Sequence, residues 1–313
     1  MKKIFIFVSL FFCIFLCLEI KTKAVYVLSP EAMLSQSSEI TDEMGGTTEV
    51  INTLDTAIDI ISDEMDSTNP NVMSMISKAI EIRNTYSNNL PFLSYFDGVQ
   101  TSIASDMFIA STLSLFWSID CKLSFELLLQ SYITVVDNYT YTNPYYAYVI
   151  DDSEIFTSIA HNSITNSSSS FPMSSVDLFL SIHSFNYSKA SGSSLTVTIT
   201  DTYDFETENN FHFTGFSPFD TLLNNIIDTF GYLMEMNVIR PFNLIISRTH
   251  TQILTYNNYD LTYHRTSCVC GYSSLQTHNW YSTMLNSYIV VSPNYIPGYK
   301  CRKCGATKYS EEL

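Results

Sequence analysis

Two closely spaced pairs of cysteines near the C-terminus place the strongest constraint on how this chain folds. They are Cys268-x-Cys270 and Cys301-x-x-Cys304, and a glycine follows each pair directly. The chain has seven cysteines in 313 residues, so more than half of them lie in this short region. Four thiolates on two tight turns suit the tetrahedral geometry of a structural zinc ion. The sequence therefore predicts a zinc-stabilised module in the C-terminal part of the chain, with these four cysteines as ligands.

The charge of the surrounding segment favours the same interpretation. From Leu261 to Ser310 the chain contains no Asp or Glu, but it carries five basic residues: Arg265, Lys300, Arg302, Lys303 and Lys308. A cationic environment stabilises thiolates, which are the form of cysteine that binds a metal. A pair of neutral disulfides has no need of such an environment.

Two alternatives to four cysteine ligands remain open from the sequence. In an oxidising compartment the same cysteines could form disulfides, and cross-pairing would be favoured because a bond from Cys268 to Cys270 is strained. His278 or His264 could also replace one cysteine in a site with three cysteines and one histidine. For both histidines, a packed or exposed ring without a metal is the commoner arrangement.

The cysteine pattern resembles a zinc ribbon over residues 264–308. The resemblance implies a structural Zn²⁺ rather than a catalytic one. The first pair departs from the usual ribbon pattern, because one residue rather than two separates Cys268 from Cys270.

The N-terminus has the features of a secretory signal peptide. Lys2 and Lys3 precede an apolar run from Ile4 to Leu18, and small residues follow near position 24. The run is shorter than the roughly 20 residues that a membrane-spanning helix needs. We therefore expect cleavage after residue 24, a secreted or cell-surface location, and no transmembrane segment in the mature protein.

The strongly acidic composition restricts the classes of partner. The chain has a formal net charge of −16, and loss of the lysine-containing signal peptide makes it more negative. Such a surface repels nucleic acids and anionic membranes. The basic, aromatic C-terminal segment is the one region that could suit single strands, but export argues against it. An unknown protein or surface partner is the expectation.

Hydrophobic periodicity predicts a helical N-terminal half. After the signal peptide, residues 25–47 are acidic and weakly patterned, which predicts a mobile leader. Residues 48–165 then contain apolar stripes at helical spacing, interrupted at Asn69-Pro70, and a mostly apolar stretch from 97 to 136 predicts buried core helices. Within that stretch, Asp120 is the predicted N-cap of the second core helix.

A small α+β unit is predicted over residues 175–262. Alternating apolar residues at 178–182 and 195–199 flank a Gly192 loop and predict a β-hairpin. Pro218 opens an apolar stripe that predicts a helix to about Met236, and residues 242–247 read as a buried strand. Part of this region, from "TITDTYDF" to "VIRPFNLII", resembles secreted bacterial proteins of unknown function.

Catalytic motifs for hydrolases, metalloproteases and nucleotide-binding enzymes are absent from the sequence. Asp201 and Asp204, at the end of a predicted strand, are the candidates for an acid/base pair, with His183 as a third member. Aspartates that cap a turn are commoner in such positions.

The sequence thus predicts an α+β fold: a helical N-terminal half, a small unit of hairpin, helix and strand, and a zinc-ribbon-like module at 263–309. The predicted role is that of an exported bacterial binding protein rather than an enzyme. A secreted hydrolase or a toxin or effector that uses Asp201 and Asp204 with a histidine is the alternative.

Overall fold

A computed structural model of the chain describes residues 28–162, 164–189, 196–205, 217–250, 254–260, 262–268, 273–287 and 294–309. It shows a mixed α and β fold in which the N-terminal half is helical, as predicted. Among the described residues, no helix is both long enough and apolar enough to cross a membrane.

The helices follow one another closely up to residue 133. They are α1 (Pro30–Glu43), α2 (Thr47–Glu64), α3 (Pro70–Asn88), α4 (Thr101–Ser118) and α5 (Lys122–Ile133), with a short 3-10 helix at Leu90–Leu93. The break at Asn69-Pro70 forms as predicted, because the Asn69 side chain accepts a hydrogen bond from the Asn71 N–H and caps α3.

Helix α4 is the centre of the helical core. It packs against α1, α2, α3 and α5, and nearly all of its residues from Ala104 to Phe116 are buried. Its buried hydroxyl groups are satisfied by hydrogen bonds, among them one from Ser114 to the Val50 carbonyl of α2 at 3.1 Å. The prediction of buried core helices in this stretch is confirmed.

Helix α1 corrects one expectation from the sequence. Residues 30–43 were predicted to belong to a mobile leader, but they form a helix whose Met33, Leu34 and Ile40 are fully buried. Ser29 caps this helix through a hydrogen bond from the Ala32 N–H at 3.2 Å. Few apolar residues suffice to fix α1 because they all lie on the side that contacts α4.

The described residues after 133 alternate helices and strands. The helices are α6 (Glu154–His161), α7 (Val176–Ser181) and α8 (Ser217–Glu235), with a 3-10 helix at Tyr145–Ile150. The strands are β1 (Thr140–Thr142), β2 (Asn166–Ser170), β3 (Ser184–Lys189), β4 (Thr196–Tyr203), β5 (Phe242–Thr249), β6 (Leu254–Asn258), β7 (Tyr263–Cys268), β8 (Ser273–Thr277), β9 (Trp280–Ser287), β10 (Asn294–Cys301) and β11 (Thr307–Tyr309).

These strands form three sheets. The largest has the order β1-β5-β4-β3-β2, in which β1 pairs with β5 in parallel. The two C-terminal sheets have the orders β6-β7-β8 and β11-β10-β9, and their strands pair antiparallel.

Two neighbouring strands of the predicted hairpin are present, but the first is displaced, and the predicted Gly192 loop lies outside the described residues. Strands β3 and β4 are neighbours in the large sheet. The apolar residues 178–182, which were assigned to the first strand, lie instead in α7 and just after it. The helix predicted from Pro218 to Met236 forms as α8, and its Leu222, Ile226, Phe230 and Leu233 are all buried. The predicted strand at 242–247 forms as β5.

The chain divides into two compact units. The first comprises Met1–Val149, Ser168–Asn186 and Ile199–Ile246, and it contains the helical core and α8. The second comprises Ile150–Ser167, Tyr187–Thr198 and Ser247–Leu313, and it contains α6 and the two C-terminal sheets.

Candidate metal centre

Two histidines of the second unit lie on one face of a β-hairpin. In the pairing of β7 with β8, His264 is directly opposite Gln276, and Tyr263 is opposite Thr277. The His278 N–H continues this ladder with a hydrogen bond to the Thr262 carbonyl at 3.1 Å. His278 is thus the diagonal neighbour of His264 on the same face, and their ring centroids are 5.3 Å apart.

A hydrogen bond fixes the orientation and the tautomer of the His278 ring. Its Nε2 lies 2.8 Å from the backbone carbonyl oxygen of Asp260, which can only accept, so Nε2 carries the proton. In the neutral ring, Nδ1 then has a free lone pair, and this atom lies 3.4 Å from the Sγ of Cys304. The arrangement is the one by which proteins orient a metal-ligating histidine.

The turn between β10 and β11 presents Cys301 and Cys304. The Cys301 N–H donates to the Ala306 carbonyl at 2.8 Å, and the Gly305 N–H donates back to the Cys301 carbonyl at 3.1 Å. Gly305 has a φ of +75°, in the left-handed region that a residue with a Cβ adopts at a cost. The glycine after the second cysteine pair therefore closes a tight turn, as the sequence predicted.

The environment of Cys301 favours its thiolate. Burial acts to raise the pKa of this thiol, but hydrogen bonds to its sulfur, those from the Cys304, Lys303 and Asn279 backbone among them, outweigh burial and lower the pKa to about 6. The pKa of Cys304 is raised, by burial first and also by the neighbouring Cys301. One thiolate is thus already favoured at neutral pH, and a cation would favour the second.

These four side chains form a single His₂Cys₂ group. One ligand atom from each of His264, His278, Cys301 and Cys304 lies within 4.8 Å of all the others, which is close enough to bind one metal ion. His264 and Cys301 are almost fully buried, at 0% and 1% exposure, and His278 is buried too. Both cysteines are free thiols. The group is buried, compact and rich in nitrogen and sulfur donors.

The structure brings together half of the predicted cysteine set. Cys301 and Cys304 lie in the group, and His278, predicted as a substitute ligand, lies there with His264. Cys268 is the last residue of β7, where only its backbone is described, and Cys270 lies outside the described residues. Those two ligands stay a prediction.

The histidine pair was harder to find in the sequence because its proximity depends on strand register. His264 and His278 are 14 positions apart, and each alone is unremarkable. The register that pairs 264 with 276 places both rings on one face of the β7-β8 hairpin. Without knowledge of this strand register, the pairing of the two histidines could not be predicted from the sequence.

The other candidate residues lie in the first unit. Asp201, Asp204 and His183, the predicted acid/base candidates, all line one cavity of about 230 Å³. Burial raises the pKa of Asp201 to about 7, the Thr202 backbone hydrogen bond opposes this rise, and the Asp204 charge adds to it. Cys121, outside both sites, is buried, and burial raises the pKa of its thiol, which agrees with a packing role.

Comparisons of the chain with known protein families, with curated proteins and with solved structures found no match. The resemblance to a zinc ribbon therefore has no support from a family match, whereas the His₂Cys₂ geometry supports a metal site.

Proposed function

We propose that this protein is an exported binding protein whose C-terminal module is held together by one structural zinc ion. The ligands are His264, His278 through Nδ1, Cys301 and Cys304. The observation that carries the proposal is the convergence of these four side chains, from three separate segments of chain, to within 4.8 Å. The zinc ion ties the β7-β8 hairpin to the β10-β11 turn.

The donor set favours zinc over other common metal ions. Two sulfur and two nitrogen donors suit the tetrahedral, borderline-soft Zn²⁺, whereas Ca²⁺ and Mg²⁺ require oxygen donors. Two thiolates also neutralise the charge of Zn²⁺ completely. A neutral centre is cheaper to bury than a centre with four thiolates, which carries a charge of −2.

Four protein ligands support a structural rather than a catalytic role. A catalytic zinc keeps one coordination position open for water or substrate, and here all four positions of a tetrahedron are taken by side chains. The near-complete burial of His264 and Cys301 also separates the metal from solvent.

Export and a binding role are supported by the sequence. The N-terminal segment has the pattern of a secretory signal peptide, and the acidic chain lacks the common catalytic motifs. The expected partner is a protein or a surface rather than a nucleic acid.

Metal analysis of matched variants tests the ligand set. We expect the purified protein and the double variant Cys268→Ser/Cys270→Ser each to contain about one equivalent of zinc, and Cys304→Ser to contain much less. Cys121→Ser is the control, because it removes a buried cysteine outside the group.

Loss of zinc from the Cys268→Ser/Cys270→Ser variant would show that the four cysteines are the ligands instead. If the unaltered protein contains less than about half an equivalent of zinc and no free thiols, the cysteines form disulfides instead of binding a metal.

A further inference from the structure

The cavity of the first unit is built by three segments of chain. The end of α7 and the residues before β3 form one side, the end of β4 forms another, and Ile227 of α8 contributes to the third. Its volume of about 230 Å³ is below the range of roughly 300–1,000 Å³ that is usual for drug-sized ligands. A ligand of this cavity must therefore be small.

The charged lining of the cavity is entirely acidic among the described residues. Asp201 is half-buried and Asp204 is exposed, and no Lys or Arg is among the described residues that line the cavity. His183, the remaining titratable group on its α7-β3 side, has a pKa lowered by burial, which favours its neutral form. The cavity therefore has a negative potential that favours a cation.

Aromatic side chains form much of the apolar wall. Phe179, Tyr203 and Phe205 all line the cavity, and the rings of Tyr203 and Phe205 meet edge to face at 5.1 Å. Apolar walls strengthen the electrostatic interactions of the carboxylates by excluding water. Aromatic faces also attract cations, more strongly when the cation is desolvated.

The hydroxyl group of Tyr203 is buried behind the same wall. Tyr203 is 2% exposed, and its hydroxyl is buried without a hydrogen-bond partner among the described residues. A buried hydroxyl group left in this state costs about 1–3 kcal/mol. Because this hydroxyl has almost no accessible surface, a ligand in the cavity does not reach it, and the carboxylates and the aromatic wall alone form the site.

We propose that this cavity binds a small organic primary ammonium ion with an apolar body. The ammonium group would donate hydrogen bonds to Asp201 and Asp204, and the body would pack against the aromatic wall. The N–H donors of one ammonium cation match the two carboxylates. The site is separate from the metal centre and does not depend on the zinc proposal.

The titration of Asp201 agrees with this assignment. A pKa of about 7 means that the carboxyl group is part-protonated at neutral pH, whereas a bound cation favours the ionised form. Affinity for an ammonium ion should therefore rise as the pH increases from 6 to 8. Asp201, Tyr203 and Asp204 from β4 and its end, and His183 before β3, are the titratable groups among the described lining residues.

Calorimetric titration with three probes of one shape tests the proposal. Benzylamine is a cation at pH 8, benzyl alcohol is neutral and benzoate is an anion. We expect saturable binding of benzylamine, at least tenfold weaker binding of benzyl alcohol and none of benzoate. Asp201→Asn should weaken benzylamine binding at least tenfold, whereas Asp63→Asn, on the exposed face of α2, should leave it unchanged.

Equal affinity for benzylamine and benzyl alcohol would show that the cavity recognises only the apolar body of the ligand, and it would overturn the proposal. So would a lack of saturable benzylamine binding by the folded protein, or full affinity in Asp201→Asn. If Asp201→Asn does not fold, benzylamine binding is measured instead with Asp204→Asn, whose side chain is exposed, and the same weakening is expected.

Discussion

At the scale of single residues, His278 shows how one hydrogen bond prepares a metal ligand. The Asp260 carbonyl holds Nε2–H at 2.8 Å, so Nδ1 faces Cys304 with its lone pair free. The Asp260 side chain in turn accepts from the Thr262 and Tyr263 N–H groups at 2.6 and 2.7 Å, which fixes the turn that supplies this carbonyl. Turn and ligand are therefore ordered together.

Replacement of His278 should weaken metal binding strongly. Loss of a partner that merely orients a ligand costs roughly 10–100-fold in metal affinity, so loss of the ligand itself should cost at least as much. We expect His278→Gln to reduce zinc affinity at least about tenfold in competition with a chromophoric chelator. His183→Gln is the matched control, and it should bind zinc normally. Unchanged affinity in His278→Gln would remove this residue from the site.

Local sequence predicted one half of the candidate site, and long-range pairing determines the other. Cys301, Cys304 and Gly305 lie within five positions, so their spacing alone describes the turn. His264 and His278 meet through the ladder between β7 and β8, and nothing within a few residues of either histidine encodes that register.

At the scale of elements, the start of α5 is capped from a distant part of the chain. The Asp177 carboxylate of α7 accepts from the Leu123 N–H at 3.0 Å and from the Ser124 N–H at 2.8 Å. The predicted cap, Asp120, makes no such bond, because its backbone is left-handed at φ 61° and its side chain is 87% exposed. Asp177 is therefore the cap, and the prediction of Asp120 is wrong.

Removal of this cap should destabilise the first unit. Asp177→Ala leaves the Leu123 and Ser124 N–H groups without their acceptor, and loss of an N-cap costs about 1–2 kcal/mol. Urea denaturation should show that decrease in the free energy of unfolding. Asp120→Asn is the control, because it removes an exposed charge and suits the left-handed backbone, and it should change stability by less than about 0.5 kcal/mol. Equal effects of the two changes would contradict the assignment.

Periodicity predicted an element well where its apolar stripe was long. In α8 the stripe extends over five turns, and Phe230 packs edge to face with Phe108 and Phe116 of α4 at 5.9 and 6.2 Å. In α7, Leu178 and Leu180 alternate as in a strand, yet one helical turn buries both together with Phe179. Six residues are too few for hydrophobic periodicity to distinguish a helix from a strand.

At the scale of the whole molecule, the two units differ in what stabilises them. The first unit has a helical core in which α4 alone buries 12 residues. The strands β6 to β11 of the second unit are three to eight residues long and form two three-stranded sheets. Small sheets of this kind bury little apolar surface, so a metal ion would supply a large part of their stability.

Removal of zinc should therefore unfold the metal module selectively. On chelation we expect hydrogen exchange to accelerate in peptides covering residues 263–268, 273–287 and 294–309, while α4 and α5 stay protected. Restoring zinc should restore the protection. Uniform acceleration over both units, or none in the metal module, would contradict a local structural role for the metal.

The most direct test of the His₂Cys₂ centre is X-ray absorption at the zinc edge of the purified protein. The proposal predicts two sulfur atoms at about 2.3 Å and two nitrogen atoms at about 2.0–2.1 Å around each zinc ion, with the multiple scattering typical of imidazole. Four sulfur atoms at about 2.3 Å without imidazole scattering would contradict it and assign the ion to the four cysteines.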